Sequence, residues 1–216
     1  MSTPEHAASP PSSLRAHRPA FLAALLIGMG VLGLLSTRLV RRATPEPPRL
    51  GVLPDFHLTE RSGRMVGRTD MSGQPWVADF IFTQCAGACP VMTARMARLR
   101  RDLPAGVRSV SFTVDPGHDT PAALARYAAG FGADEGWLFL TGPQKDLYDL
   151  STGGFKLAAM EVPPGQRDGS GDGPFLHSSK FVLVDGAAVV RGYYDSTDEQ
   201  AVRALVADAR ALQTTR

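Results

Sequence analysis

The stretch "ADFIFTQCAGACPVMTARM", residues 78–96, decides how the chain is read. Its first part continues the apolar run that begins at Trp76, and "WVADFIF" (76–82) has the length and composition of a buried strand. Its last part changes period. In "PVMTARMARLRRDL" (90–103), Met92, Met96, Leu99 and Leu103 recur on one helical face and arginines occupy the rest. Cys85 and Cys89, the only cysteines among 216 residues, sit where the strand gives way to the helix, with Pro90 at the first helical turn. The sulfur-bearing Met92 and Met96 share the apolar stripe, so they read as core residues and not as metal ligands.

Four explanations of the cysteine pair compete. A structural disulfide across three residues closes a very small loop and restricts the unfolded chain little. Two unrelated buried thiols would rarely coincide with one strand–helix junction. A redox dithiol is open, although the spacing is Cys-x-x-x-Cys and not the Cys-x-x-Cys of thioredoxin-like oxidoreductases. A metal clamp is open too, since thiolates are soft ligands suited to Cu(I) or Zn(II). The positive end of a helix dipole favours thiolate, so the position predicts reactive sulfurs.

The elements around this junction alternate. "VRSVSFTV" (107–114) is a strand, and "TPAALARYAAGFG" (120–132) is a helix with Thr120 as its cap and Pro121 at its first turn. "WLFL" (137–140) is a short strand and "PQKDLYDL" (143–150) a helix. "KFVLVDGAAVVRGYY" (180–194) reads as a hairpin turning at Asp185–Gly186. "TDEQAVRALVADARAL" (197–212) reads as a helix opened by a Thr197/Gln200 capping box. A βαβ half followed by a ββα half predicts an α/β, thioredoxin-like central mixed sheet flanked by helices.

N-terminal to this domain the composition shifts. Residues 1–19 are rich in Pro, Ser and Ala and read as a short disordered tail. Residues 20–37, "AFLAALLIGMGVLGLLST", carry no charge and lie between Arg18 and Arg38. As a helix they would be about 27 Å long, enough for a thin bilayer core. They have no polar face, no A-x-A site follows, and arginines come directly after, so they read as an uncleaved anchor in the lipid bilayer. "ATPEPPRL" (43–50) reads as a Pro-rich, extended linker, and 51–212 as the globular domain. Five of the arginines and one acid lie in 1–42, leaving 18 basic and 20 acidic residues in 43–216. That near-neutral domain gives no sign of nucleic-acid binding. Two arginines precede the span and three follow it, a count that by itself places the domain in the cytoplasm.

Two thiolates leave a metal site incomplete, and the histidines are the natural source of a third ligand. His6 and His17 lie in the tail, and His57 and His118 in polar loop surroundings. His177, in "GPFLHSSKFVLVD", follows a glycine-rich loop and stands at the start of a strand whose edge, in a thioredoxin-like sheet, neighbours the cysteine loop.

These segments, taken in order, resemble the Sco/SenC family of copper chaperones for cytochrome c oxidase assembly. "PDFHLTERSGRMV" is similar to the family's opening hairpin, "ADFIFTQCAGACPVMTARM" to its Cys-x-x-x-Cys-Pro segment, and "VSFTVDPGHDTPAALARYAAGFG" to its Thr-x-Asp-Pro segment and helix. "WLFLTG" and "LHSSKFVLVDGAAVVRGYYD" fit the strands that follow, the second bearing the histidine. The resemblance implies copper, as Cu(I) or Cu(II), held by Cys85, Cys89 and His177, with Asp115 as the acidic residue near the site. It implies a bacterial single-pass protein of the cytoplasmic membrane whose domain faces the periplasm or the extracellular side, against the arginine count. The implied partner is the copper-receiving subunit of cytochrome c oxidase. The chain departs from the family's pattern in the "AGA" spacer and in Leu176, where an aspartate usually precedes the histidine. A metallochaperone uses all three ligands; a thiol–disulfide oxidoreductase acting on that subunit's cysteines needs only Cys85 and Cys89 as its catalytic pair. A peroxiredoxin-like peroxidase is disfavoured because "DFIFTQC" lacks the Pro-x-x-x-Thr-x-x-Cys pattern.

Overall fold

The structure is a computed structural model that describes residues 27–30, 46–157, 159–161 and 175–214, without the side chains of 159–161, 175–177 and 214. The chain divides into two compact units, Met1–Thr44 and Pro45–Arg216. In the first, residues 27–30 are helical; the tail expected over 1–19 and the rest of the span expected over 20–37 lie outside the described residues. Among the described residues, no helix is long and apolar enough to cross a membrane.

The second unit is built on an eight-stranded mixed sheet. Its strands are β1 (Gly51–Val52), β2 (His57–Glu60), β3 (Met65–Gly67), β4 (Trp76–Ile81), β5 (Arg108–Thr113), β6 (Trp137–Thr141), β9 (Lys180–Val184) and β10 (Val189–Asp195), in the order β1-β10-β9-β4-β5-β6-β2-β3. β4, β5 and β6 run parallel, while β9 and β2 flank them antiparallel. The helices are α1 (Ala88–Asp102), α2 (Pro121–Gly130), α3 (Gln144–Asp149), which runs on into a π-turn at Leu150–Gly154, and α4 (Glu199–Thr214). Parallel neighbours need crossover helices, and α1 and α2 supply them. A separate ribbon pairs β7 (Ala159–Glu161) with β8 (Phe175–His177).

β4 is buried along its whole length, as the apolar run required. Trp76 and Phe80 pack with Phe112 and Phe155 in an aromatic cluster, the Phe80 and Phe112 rings stacked at 5.3 Å. Met92, Met96 and Leu99 of α1 are buried in the same core. The Thr120 side chain accepts from the Ala123 N–H at 3.2 Å, the cap expected for α2.

Several local expectations are corrected. The β9–β10 turn is not a tight Asp185–Gly186 turn but spans 185–188, closed by the Asp185 N–H to Val189 O (2.9 Å) and by Ala188 N–H to Asp185 O (3.0 Å). The Asp185 carboxylate accepts from the N–H groups of Ala187 and Val189, which stabilises the longer turn although Ala188 takes φ of 61°. At α4 the cap is Asp198, which accepts from Gln200 N–H at 2.8 Å; the Thr197 hydroxyl is diverted to Asp195. His57 lies on strand β2 and not in a loop. The described part of the expected linker, 46–50, lies on the domain: Leu50 N–H reaches Val190 O at 2.9 Å, and Pro47 is buried.

Candidate metal centre

β4 delivers the chain to the cysteine turn, and α1 takes it away. The Cys85 N–H donates to Phe82 O at 3.4 Å, which curls the turn back on the strand end. Cys89 is the second residue of α1, and its N–H donates to the Cys85 sulfur at 3.4 Å. One of the N–H groups that a helix start leaves without an intrahelical partner is thereby aimed at a thiol. Neither cysteine is in a disulfide. Both are buried, Cys85 at 5% exposure and Cys89 at 0%. Behind them, the Thr93 hydroxyl donates to Cys89 O at 2.8 Å and pairs with the Tyr127 hydroxyl at 2.8 Å, tying α1 to α2.

Burial changes the expected chemistry of Cys89. It pushes the thiol well above the ordinary thiol range; the backbone N–H of Phe82 offsets this in part, and the nearby Cys85 and Asp79 add to it. The expectation of a thiolate stabilised by the helix dipole is therefore corrected for Cys89. The cost of a buried charge outweighs a partial charge at a helix end.

Asp115 stands two residues past the end of β5, next to Val114, whose N–H bonds Ile81 O at 2.8 Å, so its loop stands beside the root of the cysteine turn. Its carboxylate is occupied by the His118 ring, Nδ1 to Oδ2 at 2.8 Å. That contact holds the imidazole above its usual range, and the His118 side chain remains 62% exposed. His177 ends β8, on the ribbon and not on the main sheet, with its backbone paired to Ala159. β9 runs antiparallel to β4, with Trp76 opposite Val184 and Ala78 opposite Val182. Lys180, the first residue of β9, therefore lies toward the end of β4 that feeds the cysteine turn, and the His177 backbone enters at that end of the sheet. Among the described residues, no three His, Cys, Asp or Glu side chains meet to hold a metal; the His177 side chain lies outside them.

Two acids escaped the sequence reading. Asp119, buried completely, accepts from the Thr83 N–H (3.1 Å), the Thr83 hydroxyl (2.6 Å) and the Thr113 hydroxyl. Asp79, equally buried in β4, has no hydrogen bond of normal geometry to either oxygen. An acid inside the apolar run "WVADFIF" is the one signal that could have marked Asp79.

A mixed sheet of this topology with a buried dithiol at a strand–helix junction defines a thioredoxin-like dithiol protein. Comparison narrows the class. Residues 44–212 match the SCO1/SenC family, and the chain belongs to it. The SCO1 protein homolog of Bacillus subtilis is 32% identical over 164 residues, covering 74% of this chain and 81% of that protein. The structure of BsSco, in which a disulfide switch was identified and which is described as a member of the Sco family of cytochrome c oxidase assembly proteins, superposes with a TM-score of 0.67 at 30% identity. The alignment spans 80% of this chain and 98% of that one. Copper-bound ScoI of Bradyrhizobium japonicum shares the fold, with a TM-score of 0.61 at 22% identity over 75% of this chain and 99% of that one.

Proposed function

We propose that this chain is a membrane-anchored copper carrier that loads a subunit of cytochrome c oxidase. The observation that carries the reading is the Cys89 N–H on the Cys85 sulfur at 3.4 Å, with both cysteines reduced at one strand–helix junction. That arrangement supplies two soft donors from adjacent turns of chain, suited to Cu(I). The imidazole of His177 is the third ligand, and it brings the harder nitrogen that Cu(II) favours. Copper displaces the thiol protons on binding, so the cation offsets the cost that burial places on a charged Cys89 sulfur. Transfer proceeds by ligand exchange, the client's ligands replacing those of the carrier one at a time. Asp115 is the acid beside the site, and its pairing with His118 leaves it to act on the loop and not on the metal. Residues 1–19 are a tail and 20–37 anchor the domain 51–212 in the cytoplasmic membrane, facing away from the cytoplasm. In BsSco and copper-bound ScoI, relatives of this fold carry a disulfide switch and copper respectively.

A second reading has its own support, in that reduced dithiol and in the disulfide switch of BsSco. Here Cys85 and Cys89 give two electrons and two protons to a disulfide of the oxidase subunit and become a disulfide themselves. The two readings part at His177. Metal analysis of the reduced protein beside His177→Ala, together with oxidase activity in cells lacking the native protein under limiting copper, separates them. His177→Ala is expected to lose Cu(II) binding and oxidase assembly while its thiols still oxidise and reduce; Cys85→Ala and Cys89→Ala lose both. Full rescue of oxidase activity by His177→Ala sinks the carrier reading and leaves the oxidoreductase.

A further inference from the structure

A fully buried carboxylate is expensive unless donors surround it. Asp119 has such donors, and two of the three come from a single residue, Thr83, which stands two positions before Cys85. The third, Thr113, ends β5, and the Asp119 N–H itself bonds Asp115 O at 2.9 Å. Asp119 adjoins α2, but its carboxylate is not spent on capping that helix, because Thr120 does so. What the carboxylate accomplishes is a crossing between two loops that the chain separates by 36 residues. On one side is the turn from Phe82 to Cys85; on the other is the loop from Thr113 to Asp119.

We propose that Asp119, acting through Thr83, is a positioning residue that sets where the Cys85 sulfur stands relative to Cys89. The inference rests on the reading of Cys85 and Cys89 as a working pair. Phe82 bonds the Cys85 N–H, so its neighbour Thr83 governs the pitch of the whole turn. Thr83 is held at both its backbone N–H and its hydroxyl, which leaves the turn little freedom. Without the hydroxyl, only the Thr83 N–H remains on Asp119, at 3.1 and 3.3 Å from its two oxygens, and the Cys85 sulfur samples positions away from the Cys89 N–H. The effective concentration of one thiol at the other then falls, and the disulfide becomes easier to reduce.

The test is the equilibrium of the full-length protein with dithiothreitol. Oxidised dithiothreitol takes two electrons and two protons from Cys85 and Cys89, forming their disulfide and reduced dithiothreitol, and the equilibrium constant gives the potential of the pair. Thr83→Val keeps size and the backbone N–H but removes the hydroxyl; Asp119→Asn keeps shape but exchanges one acceptor for a donor. Each is expected to lower the constant for disulfide formation about tenfold, about 30 mV for a two-electron couple. Thr83→Ser restores the hydroxyl and is expected to match the unaltered protein. Urea unfolding of each variant reports stability separately, and Thr83→Val carries the test if Asp119→Asn does not fold. Constants within about twofold of the unaltered protein in the folded variants, whatever their stability, overturn the proposal and leave Asp119 as a fold determinant alone; so does a Thr83→Ser protein that behaves like Thr83→Val. The potential is read without copper, so failure of the unaltered protein to bind copper counts against the carrier reading and leaves this result standing.

Discussion

The Arg191 side chain donates through Nε to the carbonyl oxygen of Pro47 at 3.1 Å, joining residues 144 apart. The guanidinium is 2% exposed and also pairs with Asp185 at 2.8 Å and with Glu46. It fastens the segment that enters the domain to the β9–β10 turn. A buried cation stripped of its partners is costly, and so is a cavity in its place. Arg191→Ala is therefore expected to destabilise the protein by about 3 kcal/mol. Glu46 is 51% exposed, and Glu46→Ala is expected to cost about 1 kcal/mol or less. Urea denaturation of both variants checks the ranking; equal losses would show that Glu46, and not the buried guanidinium, holds the segment.

Asp79 sets a pH dependence of stability. Burial raises its carboxyl from the ordinary 3.8 to about 7, and the Ser111 hydroxyl on the neighbouring strand offsets this only in part. The folded protein thus holds a proton that the unfolded chain releases. Stability from this group is greatest below the unfolded value, falls as pH rises from about 4 to about 7, and levels off above that. The loss across this window is on the order of 4 kcal/mol at most. Asp79→Asn should remove that part of the slope. Denaturation midpoints at about pH 5 and about pH 8 measure it; a variant with the full slope places the titration elsewhere.

Cys89 should be a poor nucleophile in the reduced, metal-free protein. It is fully buried, and burial holds it in the thiol form. Alkylation by iodoacetamide at neutral pH is expected to be about tenfold or more slower at Cys89 than at an unfolded cysteine, and to accelerate in urea. Peptide mapping of the modified protein assigns the rate to each cysteine. Rapid labelling of folded Cys89 would restore the thiolate that its place at the helix start suggests.

Met96 is a core residue, with 0% exposure on the buried stripe of α1. Met96→Leu is close to volume-conserving, so its cost is expected to be below about 1.5 kcal/mol. Copper content should be unchanged. Loss of copper in a folded Met96→Leu protein would make the thioether a ligand.

Much of this fold was legible along the chain because its signals are local. The apolar run of β4, the methionine stripe of α1 and the Thr120–Pro121 start of α2 each arise from neighbouring residues, and each appears where its pattern stands. The caps and turns that were misread have competitors close by. Asp198 outcompetes Thr197 for the start of α4, because Asp195 engages the threonine hydroxyl first.

By itself the sequence determined the order of the elements and the position of two thiols where a strand meets a helix. Periodicity and spacing suffice for that, since both depend on residues a few positions apart. The tertiary structure decided what surrounds those thiols. The partners of Asp119 lie at Thr83 and Thr113, and Asp79 is sealed within β4 with only Ser111 of the adjacent strand to offset its burial. No local pattern encodes such neighbours, because the sheet brings them together. The same packing turned an expected thiolate into a buried thiol, since desolvation is a property of everything around a group and not of the helix it begins.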